Sequence, residues 1–270
     1  MLDFDKIRRI VVKVGTSSLT YPSGMLNIRC IERLVRCLSD LQNRGFELAL
    51  VSSGAIGVGA AKMKLPARPH TIRMKQAAAA VGQCELMHIY DKMFLEYNHN
   101  VAQILLTMHD VADDERRRYV HNTFDALFET KVIPIINEND SVAVDEIEFV
   151  ETFGDNDTLS AVVSTIAAAD LLVIFTDIDG LYDSDPRKSA DAKRIHYVNR
   201  ITPELERAAG GAGSENGTGG MITKLKAAKI CMDAGIPMLI VNGKDPEIIY
   251  DIVDGKQPGT LFEAAKEEHL

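Results

Sequence analysis

The chain has 270 residues, 46% hydrophobic and 26% charged, with a formal net charge of −9 and a sequence pI of about 5.3. This is a globular composition, long enough for one large α/β domain or two closely packed lobes around a substantial core. The acidic balance, with no basic stripe interleaved with aromatics, excludes a nucleic-acid partner and requires any anionic ligand to be held by locally concentrated positive charge.

Residues 10–14 are a short β-branched run, the signature of a buried strand. Residues 27–44 have helical periodicity through Ile31, Leu34, Val35, Leu38 and Leu41, and Gly45 stops it. A strand is expected over 47–51 and a long helix over 72–97, with a break near Gly82. Then come a strand over 101–106, a helix over 115–130 and a strand over 132–136. In 143–152, Val144, Ile147, Phe149 and Val150 sit among acidic residues, which suggests a β-hairpin flap. Residues 157–169 read as a helix, 171–176 as a strand and 178–199 as mostly loop. A helix over 223–234, a strand over 237–241, a helix over 246–253 and a final edge strand over 259–262 complete the pattern. The alternation argues for a mainly parallel sheet covered on both faces, with ligands bound beyond the carboxyl ends of the strands.

Polar motifs occupy those ends. Lys13 lies within an apolar strand, where it either snorkels to solvent or meets negative charge, and Gly15, Thr16, Ser17 and Ser18 follow it. Residues 52–59, SSGAIGVG, make a glycine turn that opens a helix, a natural anion site, although the spacing is neither a dinucleotide fingerprint nor a P-loop. Asn137, Glu138, Asn139 and Asp140 end another strand, where an Asx turn is the plainer reading. In Gly154-Asp155-Asn156-Asp157, an N-cap explains one polar residue but not all three. Thr176 and Asp177 end a further strand, and Asp179-Gly180 is an ordinary turn that lacks the glycine and glutamate of a calcium loop. Residues 217–224 read as a solvated linker, except that Lys224 starts a helix, where a cation opposes the macrodipole unless an anion joins it. Two lysines, backbone donors, a carboxylate and an amide are the equipment of phosphoryl transfer, in which positioning and charge stabilisation do most of the catalysis.

Other chemistries lack their residues. There is no Walker motif, protein-kinase signature, nucleophile elbow or H-E-x-x-H, and the seven histidines form no ligand pair. The four cysteines form no CxxC and are expected to be reduced and mostly buried. The charged N-terminus does not suit a signal peptide, and the longest apolar-biased stretch, 161–175, is interrupted by Ser164, Thr165 and Asp170. A cytoplasmic protein without membrane association is expected.

The chain resembles the amino acid kinase family from about Ile10 to Phe262. The resemblance is carried by VVKVGTSSL (11–19), SSGAIGVG (52–59), KQAAAAVGQ (75–83), INENDSV (136–142), FGDNDTLSA (153–161), TDIDGLYDSDPR (176–187) and GTGGMITKLKAA (217–228). It implies an α/β three-layer αβα sandwich, with an amino-acid lobe over about 1–168 and an ATP lobe over about 169–270. The middle segments resemble the branch that uses ATP and Mg²⁺ to phosphorylate the side-chain carboxylate of L-glutamate, the first step of proline synthesis.

In that branch, the positions matching Lys13 and Lys224 hold the transferring phosphoryl group, and the match to Asp157 positions both lysines. Matches to Ser53, Gly54, Ala55, Asp140 and Asn156 bind glutamate. Matches to Lys13, Gly15, Thr176, Asp177, Thr218, Gly219, Gly220, Met221, Ile222, Thr223 and Lys224 bind ATP. No dedicated protein ligand set for the metal is implied. Proline inhibition, a homo-dimer or tetramer and a glutamyl phosphate reductase as pathway partner are implied too, as is a form without the RNA-modification-type (PUA) domain that some members carry. A sister kinase acting on acetylglutamate, aspartate, uridylate or carbamate stays open, as does a non-catalytic amino-acid or nucleotide sensor.

Overall fold

Runs of buried β-branched and leucine residues make the strands, and amphipathic or small-residue segments make the helices that cover them. The computed structural model describes residues 4–21, 23–142, 155–184, 191–210 and 220–263. Its strands are β1 (Arg9–Val14), β2 (Glu47–Ser52), β3 (Val101–Leu106), β4 (Ile133–Glu138), β5 (Leu171–Thr176), β6 (Leu181–Tyr182), β7 (Arg194–Ile195), β8 (Tyr197–Val198), β9 (Met238–Asn242) and β10 (Thr260–Phe262). Its helices are α1 (Thr16–Leu19), α2 (Ile28–Asn43), α3 (Ala55–Lys62), α4 (Ile72–Leu95), α5 (Met108–Ala112), α6 (Asp114–Glu129), α7 (Asn156–Ile166), α8 (Pro203–Gly210), α9 (Met221–Asp233) and α10 (Ile248–Val253).

An eight-stranded sheet runs in the order β3-β4-β2-β1-β5-β9-β10-β8, and β6 and β7 pair separately. Neighbours from β3 to β9 are parallel, whereas β10 is antiparallel to β9 and parallel to β8. Strand alternation divides the core. Ile10, Val12 and Val14 face α2, α4 and α10 through Ile31, Leu34, Phe94 and Ile249. Val11 faces α6, α7 and α9 through Phe124, Leu159 and Leu225. The result is the expected three-layer αβα sandwich. Lys13, two residues after Val11, projects toward the α7–α9 layer.

One expectation fails at Gly82. Helix α4 runs unbroken through it from Ile72 to Leu95. A Cβ at Gly82 would lie 1.8 Å from the Ala55 carbonyl oxygen, and one at Gly59 would lie 1.7 Å from the Ala78 carbonyl oxygen. The two glycines let α3 and α4 cross backbone to backbone, so Gly82 serves close approach rather than a helix break.

Other boundaries shift by one to three residues. Strand β10 is interior, because β8 pairs on its outer side and forms the edge. The loop expected over 178–199 contains β6, β7 and β8, and α1, α5 and α8 are additional helices. Cys37 and Cys231 are buried, but Cys30 is half-buried and Cys84 exposed, so "mostly buried" overstates their burial; all four are free thiols. The flap expected over 143–152 lies outside the described residues.

Candidate active site

Parallel register brings the polar strand ends together. Val14 lies level with Ser52 and with Phe175, and Val51 lies level with Ile136. A cleft of about 830 Å³ opens beyond these ends.

Its centre is Asp157. Asp155 caps α7, with Oδ1 accepting from the backbone N–H groups of Asp157 and Thr158 at 2.8 and 2.9 Å and Oδ2 accepting from the Thr158 hydroxyl at 3.1 Å. Burial raises the Asp155 pKa. The cap fixes the first turn of α7 and holds the Asp157 carboxylate between β1 and α9. Lys13 Nζ lies 2.6 Å from Asp157 Oδ1, and Lys224 Nζ lies 3.1 Å from Oδ2. The Thr223 hydroxyl is 2.8 Å from the same Oδ2 and 2.7 Å from the Gly220 carbonyl. All three charged groups are buried: Asp157 is 1% exposed, Lys224 5% and Lys13 7%. Burial alone would raise the Asp157 pKa, but the two ammonium groups outweigh it and bring the value down to about 2. One carboxylate therefore faces two ammonium groups, and the N-terminus of the 13-residue α9 adds partial positive charge. The cluster is net positive and buried, an arrangement that calls for an anion.

The neighbouring end of the cleft is polar. Gly54 caps α3 with φ 102°, a left-handed conformation that suits glycine. Asn156 Nδ2 donates to Ser53 Oγ at 2.7 Å and to Asn137 Oδ1 at 2.9 Å, with the Ser52 carbonyl at 3.5 Å. Asp140, half-buried, lines the same cleft.

Lys13, Gly15, Ser53, Gly54, Ala55, Asp140, Asn156, Asp157, Thr176, Asp177 and Lys224 all line this one cleft. The Thr176 hydroxyl donates to Asp177 Oδ1 at 3.2 Å. Gly220 caps α9, and Thr223 reaches Asp157. Met221 instead packs on the second core, and Ile222 is 45% exposed, so neither side chain joins the cluster. Thr218 and Gly219 lie outside the described residues. Asn137 and Gln83, given no separate role by the sequence, form a buried hydrogen bond of 3.0 Å directly behind Asn156. The signal for Gln83 was an amide beside Ala78, Ala79 and Gly82 on the buried side of α4. No histidine lines the cleft, and among the described residues no group of three or more His, Cys, Asp or Glu is placed to hold a metal ion.

The amino acid kinase family model matches residues 8–242. The chain is 58% identical over 262 residues to a glutamate 5-kinase of Clostridium perfringens (strain 13 / Type A), covering 97% of each chain. It is 55% identical over 262 residues to a glutamate 5-kinase of Listeria innocua, covering 97% of this chain and 95% of the relative. Solved structures with the same fold include an isopentenyl phosphate kinase substrate complex (TM-score 0.65, 17% identity, 93% of this chain and 99% of that one). They also include UMP kinase from Ureaplasma parvum (TM-score 0.64, 14% identity, 96% and 99%). With sequence relatives this similar along nearly its whole length, and a family model matched over residues 8–242, the chain belongs to the amino acid kinase family.

Proposed function

We propose that the chain transfers the γ-phosphoryl group of ATP to the side-chain carboxylate of L-glutamate, giving L-glutamyl 5-phosphate, the first intermediate of proline synthesis. The observation that carries the reading is the Lys13–Asp157–Lys224 cluster, which is net positive, buried, and set beside the polar Ser53–Asn156 end of one cleft. The high identity to relatives named glutamate 5-kinase supports the choice of acceptor.

The chemistry asks little of proton transfer. A glutamate side chain has a pKa near ~4.3 and is ionised at neutral pH, so the nucleophile needs no general base. A cleft without histidine suits that. The difficulty is bringing a carboxylate onto a polyphosphate, since two unit charges ~4 Å apart at an effective dielectric of about 20 repel by roughly 4 kcal/mol. In this reading Lys13 and Lys224 offset that repulsion from fixed positions, and Asp157 holds them apart and oriented, acting through the lysines rather than on the substrate. Ser53, Gly54, Ala55, Asn156 and Asp140 take the amino-acid end. Gly15, Thr176, Asp177 and the residues from Thr218 to Lys224 take the nucleotide.

Asp157 is committed to two lysines and Asp155 to capping α7, and no metal-ligand cluster stands among the described residues. Mg²⁺ would be held by the ATP phosphates, where it would neutralise charge; no protein carboxylate is assigned to it. The same reading divides the chain into an amino-acid lobe over about 1–168 and a nucleotide lobe over about 169–270. It also includes inhibition by proline, a homo-oligomer, a cytoplasmic location and a reductase that consumes the product. These last features rest on the family resemblance alone.

The test is to trap the acyl phosphate with hydroxylamine, supplying glutamate and Mg·ATP as the only substrates. Hydroxamate formed in step with ADP is expected. Turnover of N-acetylglutamate, aspartate, UMP or carbamate in place of glutamate would overturn the choice of acceptor. Binding of both ligands without ADP release would overturn catalysis itself.

A further inference from the structure

Asn137 sits near the end of β4 at 2% exposure, between Gln83 of α4 and Asn156 of α7. The geometry settles how its amide is turned. The backbone N–H of Glu138 points at Asn137 Oδ1 from 2.9 Å, and only the oxygen of an amide can accept it. The other end is therefore the NH₂ group, which donates to Gln83 Oε1 at 3.0 Å. Asn137 Oδ1 also accepts from Asn156 Nδ2 at 2.9 Å, and Asn156 Nδ2 donates to Ser53 Oγ at 2.7 Å. Both N–H groups of Asn156 are thus engaged on the protein. Asn156 is left with an acceptor, its Oδ1, and Ser53 with a donor, its hydroxyl proton.

We propose that Gln83, acting through Asn137, is a positioning residue that fixes the donor–acceptor polarity of the amino-acid end of the cleft. Asn156 then offers an oxygen to the substrate ammonium, and Ser53 offers a proton to the substrate α-carboxylate. This assignment of ligand groups rests on the glutamate reading above. An asparagine amide has nearly the same shape when turned over, so shape cannot hold the correct face toward a zwitterion. A chain of bonds ending on a backbone N–H can. Gln83 is the far anchor of that chain: it gives the buried Asn137 NH₂ an acceptor, without which turning or tilting the amide would be favoured. The α3–α4 crossing supplies its position, because Gly82, the preceding residue, brings α4 onto the backbone of Ala55.

Gln83→Met keeps the side-chain length and removes the acceptor. The expected result is a rise of about tenfold in KM for glutamate, from the buried NH₂ left without a partner, with KM for ATP changed by less than about twofold. In an Asn156→Ala background the same substitution should raise KM for glutamate no further, because the group that Gln83 controls is already gone. A rise of equal factor in both backgrounds, a parallel rise in KM for ATP, or an unchanged KM for glutamate in folded Gln83→Met would overturn the proposal.

A second readout needs no substrate. In the ligand-free protein, the Asn156 side-chain NH₂ resonance, assigned by its loss in Asn156→Ala, should exchange with solvent slowly, and about tenfold faster in Gln83→Met. Equal exchange rates would overturn the relay. If the wild-type enzyme fails to phosphorylate glutamate, the glutamate reading falls by itself, and the exchange measurement still decides whether Gln83 orients Asn156.

Discussion

Replacing Asp157 with asparagine keeps the outline of the side chain and removes the negative charge between two buried ammonium groups. The amide oxygen can accept from one lysine, and the NH₂ group then faces the other. In the wild-type protein burial opposes ionisation of Asp157, but Lys13 and Lys224 prevail and hold its pKa at about 2. Measured from an unfolded value near ~3.9, that depression is worth about 3 kcal/mol of stability at neutral pH. Its sign is that of a depressed carboxylate: the contribution is complete above the unfolded pKa and disappears as the pH falls from there through about 2. Direct repulsion has the same size, since two ammonium groups ~6 Å apart at an effective dielectric of about 20 repel by roughly 3 kcal/mol. We therefore expect Asp157→Asn to lose about 3 kcal/mol in urea unfolding at neutral pH. Its kcat in the hydroxamate assay should fall by about a hundredfold or more, because the lysines no longer hold their positions.

A companion variant separates the two effects. Adding Lys13→Met to Asp157→Asn removes the unpaired cation and should recover most of the lost stability, while kcat stays low or falls further. A folded Asp157→Asn protein with wild-type urea midpoint and wild-type kcat would refute the electrostatic argument. Recovery of kcat along with stability in the double variant would refute the role of Lys13.

Further outcomes follow from the same geometry. Lys224→Ala should reduce kcat by about a hundredfold or more, with a smaller loss of stability than Asp157→Asn because Lys13 still pairs the carboxylate; full turnover by the purified variant would remove Lys224 from the mechanism. Asp140→Ala should chiefly raise KM for glutamate, by about tenfold or more, as loss of a charged partner for the substrate ammonium; an unchanged KM would move amino-acid recognition elsewhere in the cleft. Gly82→Ala places a methyl group 1.8 Å from a backbone carbonyl oxygen, so α3 and α4 must separate. It should cost about 2–4 kcal/mol in urea unfolding despite the higher helix propensity of alanine, and a stabilised variant would show that the crossing is not close.

The central strands were legible because a parallel strand buried on both faces must be an almost continuous apolar run; β2, β4 and β5 are such runs ending in polar residues, and β1 carries Lys13 just before its end. Gly82 was misread because its reason lies in a helix some twenty residues away: local propensity registers a weak helix former, and only the neighbouring Ala55 carbonyl shows why a side chain is forbidden there. Strand β10 was placed at the edge because its outer partner, Tyr197–Val198, is two residues long and carries too little periodicity to detect. At the site, the residue types were legible at the strand ends, but that Asp157 would position both lysines came from the family resemblance and not from spacing. Gln83 fell between these cases, an amide whose value appears only once Asn137 and Asn156 are seen against it.

Placement of Lys13 ties the site to the fold. Along β1, Ile10, Val12 and Val14 face one core and Val11 faces the other, so Lys13 falls on the Val11 side, where Asp157 and Lys224 wait. A slip of β1 by one residue would carry the ammonium into the cluster of Ile31, Leu34 and Phe94, with no carboxylate to meet it. Burying an unpaired charge there costs several kcal/mol, and the apolar residues displaced toward Asp157 would add their own loss. Correct register is thus favoured twice, by the apolar alternation and by the ion pair. Lys13 is therefore more than a catalytic group set on a finished scaffold: its pairing with Asp157 helps select the strand register that makes the cleft.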